Sequence, residues 1–174
     1  AYKLLQQEKG NWNMGNNMSF WISLWNIKAP PQVLNLIWRA LTYCLPTLLQ
    51  LQSKHVPVNN ICPVCKEGVE SICHALVQCK AADMCWQLFL PGTTTNSNME
   101  FKIWLERILS CKPDNIKAKI ITLCWSIWRS RNDFVWNNRR WQPMKIVAKA
   151  WEYLSQWKAT QDRLFSAPVV PPVT

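Results

Sequence analysis

Glycine is scarce in this chain, at four of 174 residues, too few for the many tight turns of a sheet-rich fold. The prolines punctuate at Pro30-Pro31 and again from Pro168 to Pro172, a distribution that suits helices joined by short breaks. Long apolar runs are missing as well. No uninterrupted stretch could span a bilayer, and no charged segment followed by an apolar run opens the chain, so neither a membrane protein nor a signal peptide is expected. Acidic residues are thin, at ten against twenty basic. No internal repeat is visible.

What is present is ample apolar material, 49% of the chain against 17% charged, which argues for one packed domain with short tails and against wholesale disorder. The net charge of +10 and the pI near 9.4 favour an anionic partner, nucleic acid ahead of membrane. Residues 102–149 hold most of this excess, with eleven basic residues against three acidic.

Periodicity predicts an all-α fold. A short amphipathic helix carries Phe20, Trp21, Leu24 and Trp25, and Pro30-Pro31 stops it. Val33, Leu34, Ile37, Trp38 and Leu41 mark the next, and Pro46 opens another that ends near Ser53. Further helices are expected at 70–78, 81–90, 99–110 with Asn98 as cap, 115–136 with Asp114 as cap, and from Pro143 to about Gln161. Ile120, Ile121, Leu123, Cys124, Trp125, Ile127 and Trp128 leave the longest helix apolar nearly all round, as in an element buried against several neighbours. Ala1 to Gln7 reads as a helix fragment, Glu8 to Asn17 as a polar loop, and 166–174 as an extended linker.

Eight cysteines could suggest a disulfide framework, but four have metal spacing and the rest sit in apolar, helix-like settings, so a reducing compartment is expected. Cys62, Cys65, His74 and Cys79 have the form C-x2-C-x8-H-x4-C. Zinc takes four tetrahedral ligands, and a C-x2-C turn offers two thiolates from one knuckle. Three thiolates and an imidazole fill that shell, so a structural ion is expected rather than a Lewis acid. His74 and Cys79 lie five apart, which a continuous α-helix would splay, so the helix must end or loosen between them. Cys73 is a rival for His74, and Cys85 a weaker one, but Cys73 continues an apolar face with Val69, Ile72 and Leu76.

The ordered strings Phe20-Trp21-x-x-Leu24-Trp25, Lys28-Ala29-Pro30-Pro31, Ile37-Trp38-Arg39-Ala40 and Leu45-Pro46-Thr47 precede Cys62-Pro63-Val64-Cys65. Glu70-Ser71-x-x-His74-Ala75-Leu76-x-x-Cys79 and Trp86 follow it. Together they resemble the zinc-binding domain that follows the polymerase in plant non-LTR retrotransposon reverse transcriptases. Trp125-Ser126-Ile127-Trp128-x-x-Arg131-Asn132 is similar to that family's long helix before its ribonuclease H domain. The resemblance spans roughly residues 1–160 and implies the same four ligands. It further implies a piece of a polyprotein, with polymerase and ribonuclease H domains as partners. Gln32 and Lys80 depart from the family pattern without touching the ligand set.

The organisation expected is a zinc-binding domain at 1–95, a basic helical extension at 96–161 and a Pro-rich linker at 162–174. RNA or DNA would be held electrostatically by Arg129, Arg131, Arg139, Arg140 and Lys145, with Trp136 and Trp141 able to stack on unpaired bases. Packing roles compete for both tryptophans, and Arg131 could instead pair with a carboxylate. The alternative is a scaffold docking the polymerase and ribonuclease H domains, its basic face serving solubility. No activity is expected. The acidic residues are scattered rather than clustered as polymerase metal ligands, and a cysteine nucleophile would need His55, which sits in a polar turn. Nucleus or cytoplasm is the expected location.

Overall fold

The computed structural model describes residues 14–93 and 99–166. In chain order these form α1 (Met14–Trp25), α2 (Pro31–Leu41), α3 (Leu48–Ser53), a π-helical turn (His74–Gln78), α4 (Lys80–Phe89), α5 (Phe101–Ser110), α6 (Asp114–Asn137) and α7 (Pro143–Ser166). Among the described residues there is no strand, and the single bridge pairs Ile61 with Val69 across the cysteine knuckle. The chain is all-α, a helical body beside one Cys-Cys-His-Cys knuckle.

Local chemistry sets the element ends. Pro31 starts α2, where a missing N–H costs nothing. Its buried face is Val33, Leu36, Ile37, Ala40 and Leu41. Thr47 caps α3 by accepting the Gln50 N–H. Asn138, at φ 51, closes α6 in the left-handed region.

Several boundaries differ from the sequence reading. Helix α3 begins at Leu48 because Thr47 takes the capping position. Asp114 is not the cap of α6 but lies in its first turn, where its carboxylate meets Lys117 at 3.0 Å. Helix α7 continues to Ser166, past the expected linker start at 162, because the first breaker after it is Pro168. Helix α1 starts at Met14, inside the expected polar loop. The Ala1–Gln7 helix, the Asn98 cap and the tail from 167 lie outside the described residues.

Helix α6 is the axis of the molecule. It packs on α7, α2 and the π turn, while α4 packs on α7 and on the π turn. Eleven of its residues are buried, including Trp125 and Trp128. Its interior polar groups are satisfied: Thr122 donates to the Ala118 carbonyl at 2.7 Å and Ser126 to the Ile146 carbonyl at 2.9 Å. One apolar cluster runs from Leu24 to Leu154 without a break at the knuckle. The cysteine segment is therefore built into the core rather than appended to it.

Candidate metal centre and basic corner

The first half of the centre is a tight turn. The Lys66 N–H returns to the Cys62 carbonyl and the Cys62 N–H reaches the Gly68 carbonyl, both at 3.0 Å. Such a turn needs left-handed backbone at Lys66 (φ 63) and Gly68 (φ 68). A Cβ on Gly68 would lie 3.8 Å from the His74 ring, so glycine is required there by conformation rather than by space.

The second half resolves the five-residue spacing. Ser71 accepts the His74 N–H at 3.0 Å and sets the helical entry. The chain then widens into a π turn, with the Cys79 N–H bonded to the His74 carbonyl at 2.7 Å. That i→i+5 bond brings His74 and Cys79 back over one another, which an α turn would not do.

The four donor atoms of Cys62, Cys65, His74 and Cys79 all lie within 4.8 Å of one another. The Cys62 and Cys79 sulfurs are 3.8 Å apart, and the Cys65 sulfur is 3.3 Å from His74 Nε2. A tetrahedral ion with Zn–S bonds of ~2.3 Å separates two sulfurs by about 3.8 Å and a sulfur and a nitrogen by about 3.5 Å. The donor set fits zinc in number, type and spacing. Contact with Cys79 and burial push the Cys62 thiol up to about 12, and the same contact lowers Cys79. Packed sulfurs of this kind release their protons to a cation far more readily than to water.

The rival ligands lie outside the cluster. Cys73 is buried in the apolar core, and burial raises its thiol to about 12. Cys85 is likewise buried, raised to about 12, and donates to the Ala81 carbonyl. Both behave as small hydrophobes.

Behind the knuckle stands an ion pair whose acidic member the sequence reading left without a role. Glu70 is fully buried, and Arg131 grips it with two bonds, Nε at 2.8 Å and Nη2 at 2.7 Å. Glu70 also accepts the Leu48 N–H at 2.9 Å, and its carbonyl takes the Leu49 N–H at 3.2 Å. One carboxylate thus joins the knuckle, the start of α3 and the middle of α6. Arg131 was a candidate phosphate contact; its side chain is only 9% exposed and is committed to this carboxylate, so it does not stand on the surface. The signal in sequence was one of two Glu residues, Glu67 and Glu70, between Cys65 and His74 in a chain poor in acids.

The other candidate contacts gather at the corner between α6 and α7. Arg139, Arg140 and Lys145 are exposed, and Trp136 is 80% exposed. Arg140 lies over the Phe134 ring and donates to the Val64 carbonyl at 3.4 Å, bringing the corner against the knuckle. Trp141 is half-buried. Its indole N–H donates to Asp133 at 2.8 Å, and Lys145 and Lys149 lie over its ring. Hydrogen bonds from Asn137 and Trp141, with Arg139 and Arg129 nearby, hold the Asp133 carboxyl below its ordinary range. Arg129 lies over Trp125, which stacks on Tyr153 at 4.4 Å, and shares a cleft with Asp133, Trp141 and Lys149. Among the described residues no helix is long and apolar enough to cross a membrane.

Residues 1–86 match the family described as zinc-binding in reverse transcriptase. A protein of Arabidopsis thaliana named "putative ribonuclease H protein" is 31% identical over an alignment 148 positions long that covers 78% of this chain. The match covers 23% of that relative, so the chain spans about a quarter of its length. No solved structure matches.

Proposed function

Since residues 1–86 belong to the zinc-binding domain family of reverse transcriptase, we propose that Cys62, Cys65, His74 and Cys79 hold one structural zinc ion in a non-catalytic module of a retroelement polyprotein, and that this module contacts RNA or DNA electrostatically. The observation that carries the zinc assignment is the meeting of four donors within 4.8 Å, with the Cys62–Cys79 and Cys65–His74 pairs near tetrahedral spacing. Three thiolates and one imidazole complete the shell, so the ion's contribution is to hold the knuckle closed. Cys62 and Cys65 would supply one arm of that grip and the π turn the other.

The nucleic-acid reading rests on the exposed Arg139, Arg140 and Lys145, of which Arg140 reaches the knuckle. Cations of this kind neutralise phosphates with counterion release and give affinity without base readout. Arg129 and Trp136 belong to the same reading as further contacts. The proposed organisation is a zinc domain at 1–95 and a basic extension packed on it from 96 to the end of α7 at Ser166, with the linker after it, in a reducing nuclear or cytoplasmic setting.

Metal analysis of the purified chain should return one zinc per molecule, reduced by His74→Ala and unchanged by Cys73→Ala. Binding to an oligonucleotide should weaken steeply between low and high salt. A salt-independent affinity overturns the electrostatic reading, and a metal content of zero in folded material overturns the zinc assignment.

A second reading draws on α1. Met18, Ile22 and Trp25 lie at helical spacing and are each about half exposed, an apolar stripe suited to docking a neighbouring domain of a polyprotein. A chain that binds no nucleic acid but associates with a polymerase or ribonuclease H domain through this stripe would favour it.

A further inference from the structure

A cleft of about 430 Å³ opens between the knuckle and the α6–α7 corner. Its size falls in the ~300–1,000 Å³ range of pockets that take small ligands. Val64, Met84, Phe134, Trp141, Pro143 and Ile146 give it largely apolar and aromatic walls, with Ser130 and Gln142 as neutral polar groups. Glu70 is the one carboxylate lining it, and Arg131 already neutralises that charge, while Cys62 and Cys79 of the knuckle line its inner side. Arg140 lines the cleft as well and reaches across to the Val64 carbonyl, while Arg139 and Lys145 are exposed on the same corner.

We propose that this cleft receives one unpaired nucleobase of a single-stranded nucleic acid, with the adjoining phosphates held by Arg139, Arg140 and Lys145. The proposal rests on the electrostatic nucleic-acid reading above and names where the strand would sit. A ligand for this site must combine a flat, largely apolar group with negative charge outside the cleft, and a base on its phosphodiester backbone does so. Duplex bases are stacked and paired, so a duplex cannot offer one without unstacking. The phosphate belongs at the cationic rim rather than at the sulfurs, because three thiolates on a divalent ion leave the knuckle with excess negative charge. The second cleft, about 230 Å³ between α6 and α7, is lined by both Asp133 and Glu152 beside its cations, which disfavours a polyanion there.

The test uses the zinc-loaded 174-residue chain and end-labelled twelve-nucleotide strands, read by fluorescence anisotropy. Base-bearing single strands of RNA and of DNA are compared with an all-abasic strand of equal charge and with the matching duplex. Base-bearing strands should bind roughly ten-fold or more tightly than the abasic one, the gain expected of a single base on an aromatic wall. Ser130→Phe, at a position bordering this cleft and the second one, should erase that difference while leaving abasic binding unchanged. Met84→Trp fills the first cleft from the exposed face of α4 and should do the same if the first variant folds poorly. A preference for one sugar identifies the source of the base and supports the pocket. Equal affinity for abasic and base-bearing strands overturns the pocket and leaves the electrostatic reading standing. No binding of any strand at low salt overturns both.

Discussion

At the residue scale two side chains bear more than their local share of the fold. Lys66 holds a left-handed backbone, φ 63, that an L side chain occupies at a cost and glycine occupies freely. Lys66→Gly should therefore stabilise the zinc-loaded chain by ~1 kcal/mol, read as a raised denaturant midpoint with unchanged slope. Arg131 has the opposite character. Its removal leaves the buried Glu70 charged and without its partner, and breaking a buried pair from one side costs ~3–5 kcal/mol. Arg131→Met should unfold at a correspondingly lower denaturant concentration. Glu70→Gln should cost less, because an amide oxygen can still accept the Leu48 N–H.

At the scale of elements, the short α3 shows how the knuckle is tied to the body. Six residues make a marginal helix with no buried face of its own. Its start is held from outside, by Thr47 on the Gln50 N–H and by Glu70 on the Leu48 and Leu49 N–H groups. Thr47→Val keeps the shape and removes the acceptor, and should cost ~1 kcal/mol by chemical denaturation. The π turn is the second such device. Its extra residue would be a defect in an ordinary helix; here it sets two metal donors on one side, and Trp86 braces it by donating to the Leu76 carbonyl at 2.9 Å.

For the whole molecule, the question is how far loss of metal would spread. Small zinc fingers unfold without their ion because they have no other core. This chain has one apolar cluster that reaches from α1 through the knuckle to α7, so the helical body should survive chelation in weakened form. Zinc at about a thousand-fold excess over its dissociation constant would contribute ~4 kcal/mol, or ~8–16 °C in melting temperature for a chain of this size. A thermal melt monitored at the helix signal, with and without chelator, should show a shift of that order. Hydrogen exchange should show protection lost first over 61–79 and next around Glu70 and Arg131, through the ion pair that links them.

The Cys-Cys-His-Cys cluster, the helical class and most helix positions were legible in the sequence because each rests on local chemistry. Spacing between Cys62 and Cys79 limits which donors can meet, period-3.6 apolar rows mark helix faces, and prolines stop the chain where they stand. Even the need for a loosened helix before Cys79 followed from counting residues. The tertiary structure alone could decide what depends on partners distant in the chain. Arg131 is basic, and its sequence leaves a phosphate or a carboxylate partner open until Glu70, 61 positions away, is placed against it. Trp141 and Arg140 are likewise defined by neighbours on other elements, Asp133 on α6 and Val64 in the knuckle. A charge in sequence carries its sign but not its burial, and burial is set by how α6 lies across the knuckle.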